Sequence, residues 1–188
     1  HTLFFALKGN NNNAHRYIKE LLDKGVQNFV VSEAPKDTSD GNYIVVENTL
    51  VALQEFASNY RAKFNFPIIG ITGSNGKTIV KEWLNFLLSP DYTIIRSPKS
   101  YNSQVGVPIS VLGINSYHNF GIFEAGISMS REMEKLEQII KPSIGVLTNI
   151  GDAHNEGFTD KTQKIAEKIK LFKNTAVLIY QKNKGGMG

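Results

Sequence analysis

The most informative stretch of this chain is Phe66-Pro67-Ile68-Ile69-Gly70-Ile71-Thr72-Gly73-Ser74-Asn75-Gly76-Lys77-Thr78. The apolar run over residues 68–71 predicts a buried strand, and the spacing of apolar residues over 77–88 predicts a helix. A turn rich in Gly, Ser and Asn separates the two. A strand, a glycine turn, Gly-Lys-Thr and a helix are the layout of a phosphate-binding loop.

The residue types in this turn suit the binding of phosphate. The first N–H groups of a helix have no intrahelical partners and converge on one point, where they attract an anion. Gly73 and Gly76 lack a Cβ, so the backbone can pass close to a phosphate and adopt positive φ. Lys77 supplies a cation to the β- and γ-phosphates, and the hydroxyl of Thr78 is placed to bind Mg²⁺. We therefore predict a nucleotide-binding loop made of Thr72, Gly73, Ser74, Asn75, Gly76, Lys77 and Thr78.

One residue departs from the strict pattern. That pattern has Gly five positions before the second Gly, where this chain has Ile71. The alternative is an ordinary turn between a strand and a helix that contains Gly-Lys-Thr by chance. The surrounding strand and helix favour the phosphate-binding loop.

Strand and helix signals alternate along the chain. We predict helices over 14–24, 49–62 (capped by Asn48), 77–88, 105–112, 131–140 and 160–172, and strands over 2–7, 27–31, 43–46, 68–71, 92–95, 120–123, 144–147 and 176–180. This alternation predicts an α/β fold with a mostly parallel sheet, whose ligands bind at the carboxyl ends of the strands.

We expect two domains. Residues 1–63 form a small α/β domain, and residues 64–188 form a phosphate-loop domain with a mostly parallel sheet. The chain begins at His1 without a Met. We therefore expect a fragment of a longer protein, with the second domain truncated.

Composition argues against several classes of protein. The net charge of the 188 residues is +4, and no basic block is interleaved with aromatic residues, so nucleic-acid binding is not favoured. The chain has no Cys, which excludes a disulfide framework and thiol chemistry and fits a reducing compartment. Neither an apolar run of membrane-spanning length nor a signal peptide is visible.

Two candidate metal-binding side chains follow predicted strands. Glu124 comes after the strand 120–123, where a carboxylate of a nucleotide enzyme holds Mg²⁺ directly or through water. The alternative is an acid that caps the next helix. His154 lies in a loop after the strand 144–147. It either faces the same pocket as Glu124 or is structural or merely exposed.

Two further residues have an open role. Lys168 shares the apolar face of its helix with Ile165, Leu171 and Phe172. A Lys on a core-facing stripe either snorkels to water or is functional, because burial lowers the pKa of the amine and makes it reactive. Asn102 precedes the helix 105–112 and either caps that helix or contacts the phosphate or sugar of a substrate.

Together, several runs resemble the ATP-dependent Mur ligases of peptidoglycan synthesis. They are residues 72–78, Asn102 with 105–108, 124–126 and 148–154. Residues 154–158 and 3–9 are most similar to the members that add D-Ala-D-Ala to UDP-N-acetylmuramoyl-tripeptide, some of which are fused to an alanine racemase. The resemblance covers nearly the whole chain.

This resemblance implies roles for single residues. Lys77 would hold the phosphates of ATP, and Thr78, Glu124 and His154 would serve Mg²⁺ sites. Lys168 matches the position of a carbamylated Lys that bridges or orients metal in the family. A carbamate there would replace a costly buried cation by an anionic oxygen ligand. The implied catalytic residues are therefore Lys77, His154 and Lys168.

Asn102 matches an Asn of the family's substrate loop. The next residue in the family is often a second Asn, whereas this chain has Ser103.

The implied reaction is a two-step amide ligation. The terminal carboxylate of UDP-N-acetylmuramoyl-tripeptide attacks the γ-phosphate of ATP, and the amine of D-Ala-D-Ala then displaces phosphate from the acyl phosphate. The resemblance implies a cytoplasmic enzyme with no nucleic-acid partner. The family also has a C-terminal domain that helps to bind ATP and the amine. We expect this chain, without that domain, not to complete the ligation alone.

Three other functions remain open. One is a different Mur ligase step, and another is a phosphate-loop NTPase or phosphotransferase. The second would need a base or an arginine at the γ-phosphate, and Arg96 and Arg131 are not obviously placed for that. The last is a nucleotide-binding module without catalysis.

Overall fold

A computed structural model describes residues 2–9, 12–151, 158 and 160–181. The chain divides into two compact units, His1–Phe56 and Ala57–Gly188. The division falls inside the helix Thr49–Arg61. The reason is that the end of this helix packs within the second unit, where the hydroxyl of Tyr60 donates to the carbonyl of Ile114 at 2.7 Å. The domain junction expected at 63–64 stays a prediction.

The first unit is built on a small parallel sheet in the order β1-β2-β3. Its elements are β1 (Leu3–Phe5), a 3₁₀ turn (Ala14–Tyr17), α1 (Ile18–Asp23), β2 (Asn28–Val31), β3 (Asn42–Val45) and the start of α2 (Thr49–Arg61). The side chain of Asn48 accepts from the N–H groups of Leu50 and Val51, which confirms its predicted role as a helix cap. A core of Ala6, Ile18, Phe29 and Val31 joins the sheet to α1.

The second unit contains a five-stranded sheet in the order β5-β6-β4-β7-β8, in which each pair of neighbours is parallel. The strands and helices are β4 (Ile68–Thr72), α3 (Lys77–Leu88), β5 (Ile94–Arg96), α4 (Gly106–Leu112), β6 (Phe120–Glu124), α5 (Glu132–Ile140), β7 (Ile144–Leu147), α6 (Lys161–Ile169), a 3₁₀ turn (Lys170–Phe172) and β8 (Val177–Tyr180). The predicted α/β class with parallel sheets is confirmed.

The neighbouring strands β4 and β6 are mostly apolar because both of their faces are covered. Every residue of β4 and β6 is buried. Alternate side chains enter different cores: Ile68 packs with the helices on one face, whereas Ile69 and Ile71 pack with Val80 and Leu84 of α3 on the other. A continuous apolar run is the expected sequence of such a strand.

The order of the strands brings three loops together at one edge of the sheet. β4 lies between β6 and β7, with Ile71 paired to Glu124 and Thr72 paired to Leu147. The chain therefore leaves these three neighbouring strands at the same level. No helix among the described residues is long and apolar enough to cross a membrane.

Candidate nucleotide-binding site

The loop between β4 and α3 depends on two glycines with positive φ. Gly73 has φ 147° and Gly76 has φ 80°. A Cβ built on Gly73 would lie 2.0 Å from Oγ1 of Thr148 and 2.9 Å from the carbonyl oxygen of Asn149. Both the backbone conformation and the space therefore require Gly at position 73.

The residues after β7 support this loop. The N–H of Ser74 donates to the carbonyl of Asn149, and the N–H of Asn75 donates to Oδ1 of the same Asn149, both at 2.9 Å. The hydroxyl of Thr148 donates to the carbonyl of Asn75 at 2.6 Å. These three hydrogen bonds hold the loop against the residues that follow β7.

These contacts change which N–H groups serve an anion. The N–H groups of Ser74 and Asn75 have acceptors in Asn149 rather than in the helix. The first bond within α3 runs from Val80 to the carbonyl of Gly76, and no side chain caps the helix. The N–H groups of residues 77–79 precede that bond and have no intrahelical partner. These N–H groups make the first turn of α3 a candidate anion site.

Two lysines converge on this loop. The ammonium of Lys77 donates to the carbonyl of Gly73 at 2.9 Å, and that of Lys168 donates to the same oxygen at 3.2 Å. Burial lowers the pKa of Lys77, although the charge of Glu124 opposes this change. Burial, and then the charges of Lys77 and Lys164, lower the pKa of Lys168 to about 8. Lys168 is 4% exposed, so the interpretation that it snorkels to water is wrong.

Glu124 lies beside Thr78 at the start of α3. Its carboxylate is fully buried, and Oε2 accepts from the hydroxyl of Thr78 at 3.1 Å. Oε1 lies 3.0 Å from the ammonium of Lys81, in an ion pair that lacks hydrogen-bond geometry. Glu124 does not cap the following helix, because the residue that precedes α5 is Arg131.

Asn102 also reaches this carboxylate. The side-chain amide of Asn102 donates to Oε2 of Glu124 at 3.5 Å. The backbone carbonyl of Asn102 accepts from the N–H of Gly126 at 2.7 Å. The predicted alternative, that Asn102 caps α4, is wrong. The hydroxyl of Ser103 accepts from the N–H of Gly106 at 3.1 Å and serves the start of α4 instead. The structure therefore gives Ser103 a local role.

His154 lies outside the described residues. Two buried lysines near the site were missed by the sequence reasoning. Lys164 is 1% exposed and donates to the carbonyl of Gly151 at 2.8 Å. Lys81 is fully buried on α3. Each shares the apolar side of its helix, the signal that singled out Lys168.

The site fits Mg²⁺ by its chemistry. The hydroxyl of Thr78 and the carboxylate of Glu124 are oxygen ligands, which Mg²⁺ prefers. Oε2 of Glu124 is the oxygen that faces Thr78, whereas Oε1 faces Lys81. Within the described part of the chain, no group of three His, Cys, Asp or Glu side chains could hold a metal ion. An ion with few protein ligands is typical of Mg²⁺, which keeps waters and takes substrate phosphates.

The fold and the site define a phosphate-loop nucleotide-binding domain of the parallel α/β class. Residues 71–184 match the Mur ligase middle domain. This match covers more than half of the chain, which therefore belongs to the Mur ligase family.

Curated proteins of the same family are similar to most of this chain. The chain is 36% identical to the UDP-N-acetylmuramoyl-tripeptide–D-alanyl-D-alanine ligase of Borreliella burgdorferi, over 95% of this chain and 40% of that protein. It is 37% identical to the ligase of the same name from Rickettsia prowazekii, over 92% of this chain and 38% of that protein. The chain thus spans about two fifths of the length of these relatives.

Solved structures show the same fold. A crystal structure of MurF from Acinetobacter baumannii superposes with a TM-score of 0.87 and 26% identity, over 93% of this chain and 39% of that one. MurF ligase from Thermotoga maritima in complex with ADP gives a TM-score of 0.85 and 25% identity, over 95% of this chain and 42% of that one.

Proposed function

We propose that this chain is the nucleotide-binding part of an ATP-dependent ligase that adds D-Ala-D-Ala to UDP-N-acetylmuramoyl-tripeptide. The observation that carries the proposal is the pairing of Thr78 with the buried carboxylate of Glu124 at the N-terminus of α3. Lys77 and Lys168 add positive charge beside it. The names of the relatives supply the substrates. A cytoplasmic location stays a prediction.

The proposed reaction has two balanced steps. A substrate carboxylate oxygen attacks the γ-phosphorus of ATP, the bond to the β-phosphate oxygen breaks, and ADP leaves. The amine then attacks the acyl carbon, a C–N bond forms, and phosphate leaves with the acyl C–O electrons while the nitrogen loses a proton. Lys77 and the first turn of α3 bind and orient the phosphates, because both face the same loop. Mg²⁺, held by Thr78 and Glu124, would neutralise the charge on the transferred phosphoryl group.

Lys168 is the proposed site of a carbamate. Its neutral nitrogen would form a bond to the carbon of CO₂ and release a proton, which leaves an anionic oxygen ligand. The low exposure of Lys168 and its pKa of about 8 support this, because the neutral amine is the reactive form. His154 is proposed as a further metal ligand and catalytic residue on the family resemblance alone.

The first unit offers a place for the uridine-diphosphate part of the substrate. A cleft of about 400 Å³ is lined by cationic, acidic and apolar side chains, among them Arg16, Lys19, Glu33, Asp37 and Tyr43. The charge of Glu33 is already paired with Lys8 at 2.9 Å. His15 also lines the cleft, and its Nε2 accepts from the N–H of Ser32 at 3.0 Å. Its Nδ1 lies 2.7 Å from Oδ1 of Asn13 and donates to it, because Nε2 is the acceptor. Cations beside an aromatic ring suit a nucleoside diphosphate.

The release of ADP by the intact protein tests the function. ADP is measured with UDP-N-acetylmuramoyl-tripeptide alone, D-Ala-D-Ala alone, both and neither. The ligase requires both for turnover. Production of ADP from ATP without either substrate would identify an NTPase. Binding of nucleotide with no production of ADP under any of these conditions would identify a binding module. Turnover with a single amino acid in place of D-Ala-D-Ala would indicate another Mur ligase step.

A further inference from the structure

A buried lysine that the proposed reaction does not use lies one turn after Lys77. Lys81 is 0% exposed and is the buried residue of α3. An ammonium group loses much hydration free energy on burial, so it is retained only where acceptors surround it. Lys81 therefore has a specific set of partners.

These partners come from three parts of the second unit. The ammonium of Lys81 lies 3.0 Å from Oε1 of Glu124 and 3.2 Å from Oε1 of Glu82. It donates to the carbonyl of Ser97 at 2.8 Å and to the carbonyl of Lys99. Two carbonyls and two carboxylates thus surround one cation that has three N–H donors.

The contact with Glu124 fixes the direction of its carboxylate. Lys81 faces Oε1, whereas Oε2 faces the hydroxyl of Thr78. The backbone of Glu124 is held as well, because its N–H donates to the hydroxyl of Ser97 at 3.1 Å. Only one oxygen of Glu124 is therefore directed to the place proposed for Mg²⁺.

The contacts with the carbonyls fix the loop that leads to Asn102. Lys99 has φ 49°, a conformation that costs free energy for a residue other than Gly. The bond from Lys81 to the carbonyl of Lys99 stabilises this turn. Three residues later, the amide of Asn102 reaches Oε2 of Glu124. The same ammonium thus sets both the carboxylate and the loop beside it.

We propose that Lys81 is a positioning residue of the nucleotide site. Its ammonium directs one oxygen of Glu124 to Mg²⁺. It also holds the loop 97–102 in the position that brings Asn102 beside that oxygen. The inference rests on the proposed function, since it concerns the same metal position. The alternative is a buried ion pair that stabilises the fold without any effect on the binding of metal.

The first test measures whether Lys81 and Glu124 act on one another. The variants are Lys81→Met, Glu124→Gln and the double variant, unfolded by urea in the intact protein without metal. We expect Lys81→Met to lower the folding equilibrium constant roughly tenfold or more, and to cost much less when Glu124 is already Gln. Equal losses in the two backgrounds would contradict the proposed pairing. The double variant leaves no unpaired charge between these two positions. If Lys81→Met alone does not fold, a folded double variant beside a folded Glu124→Gln still shows the pairing, and an unfolded double variant contradicts it.

The second test measures the effect of Mg²⁺ on the binding of ADP, by calorimetry with Mg²⁺ and with EDTA. In Lys81→Met we expect the gain in affinity from Mg²⁺ to fall by roughly tenfold, because supporting residues of metal ligands have effects of that size. The affinity in EDTA should change little. Lys81→Gln keeps N–H donors and is the second variant. Lys135→Met, at an exposed position on α5, is the control.

The outcomes separate the inference from the proposed function. If the unaltered protein binds ADP equally with and without Mg²⁺, the proposed metal position fails. If it gains affinity from Mg²⁺ and both Lys81 variants keep that gain in full, the role of Lys81 fails and the function stands. A loss of the gain in both Lys81 variants, with none in Lys135→Met, supports the role of Lys81.

Discussion

Lys77 and Lys168 donate to the same acceptor, the carbonyl oxygen of Gly73, although they are on different helices. Two cations at one carbonyl repel each other, and the charge of Lys77 contributes to the low pKa of Lys168. A phosphate brought to the first turn of α3 would relieve this repulsion. The two ammonium groups at the carbonyl of Gly73 are therefore placed to favour the binding of an anion.

The depressed pKa of Lys168 predicts a dependence of stability on pH. The pKa is about 8 in the folded chain and 10.5 as an ordinary value, so between these pH values the unfolded chain binds more protons. Stability from this group therefore rises with pH over that window, by at most about 3 kcal/mol, and is constant at lower pH. Urea denaturation from pH 7 to pH 10 in CO₂-free buffer should show a smaller rise for Lys168→Met. Equal curves for both proteins would contradict the pKa of Lys168.

Carbamylation of Lys168 predicts a spectroscopic signal. With ¹³C-labelled bicarbonate, the intact protein at mildly alkaline pH should show a carbamate carbon resonance by NMR. Lys168→Met should lack it, whereas Lys135→Met, at an exposed position, should keep it. A spectrum of the unaltered protein without this resonance would exclude the carbamate under those conditions.

Lys77→Met should weaken the binding of ADP. Charge-assisted hydrogen bonds to phosphate are stronger than neutral ones, so we expect a loss of about 10- to 100-fold in affinity. Calorimetry measures it, with Lys135→Met as the control of equal chemical change. An affinity within a factor of about two of the unaltered protein would remove Lys77 from the phosphate site.

Gly73→Ala should disrupt the loop. Its Cβ would overlap Oγ1 of Thr148, so we expect a loss of about 3 kcal/mol or more in the free energy of unfolding and no measurable binding of ADP. Gly25→Ala is the matched control, because Gly25 has φ 84° and open space around its Cβ position. That control should lose only about 1 kcal/mol. Similar losses in the free energy of unfolding for both variants would show that backbone strain alone, and not the contact with Thr148, makes Gly necessary at position 73.

Asn149→Ala should loosen the loop without unfolding the protein. It removes the side-chain acceptor of the Asn75 N–H, so we expect the affinity for ADP to fall about tenfold and stability to fall by about 1 kcal/mol. Asn119→Ala removes a similar acceptor, that of the Thr93 N–H, at the amino end of β6. Asn119→Ala should lose similar stability with unchanged binding of ADP. Weaker binding in both variants would point to a general loss of structure.

Local patterns predicted the framework well. The apolar run at 68–71 became β4, and the 3.6-residue spacing at 77–88 became α3 with the same bounds. Both signals are local, because a strand covered on both faces and an amphipathic helix show their environments in a few adjacent residues. The prediction for 160–172 was correct in extent, but the structure changes to a 3₁₀ turn at Lys170.

The partners of buried polar groups were harder to predict. That Asn149 would occupy the N–H groups of Ser74 and Asn75 depends on which strands are neighbours, and the order of strands in the sheet is not a local property. Lys81 was overlooked although it shares the inner side of α3 with Leu84. Its ion pair joins α3 to the end of β6, so only the folded chain reveals it.

The dependence of the Ser74–Asn75 turn on Asn149 also sets an order of events during protein synthesis. The acceptor for Asn75 lies 74 positions further along the polypeptide. A nascent chain that ends before Asn149 has α3 but lacks the contacts that shape the turn in front of it. Because the ribosome adds residues from the N-terminus, the turn cannot gain these contacts before β7 has emerged and paired with β4.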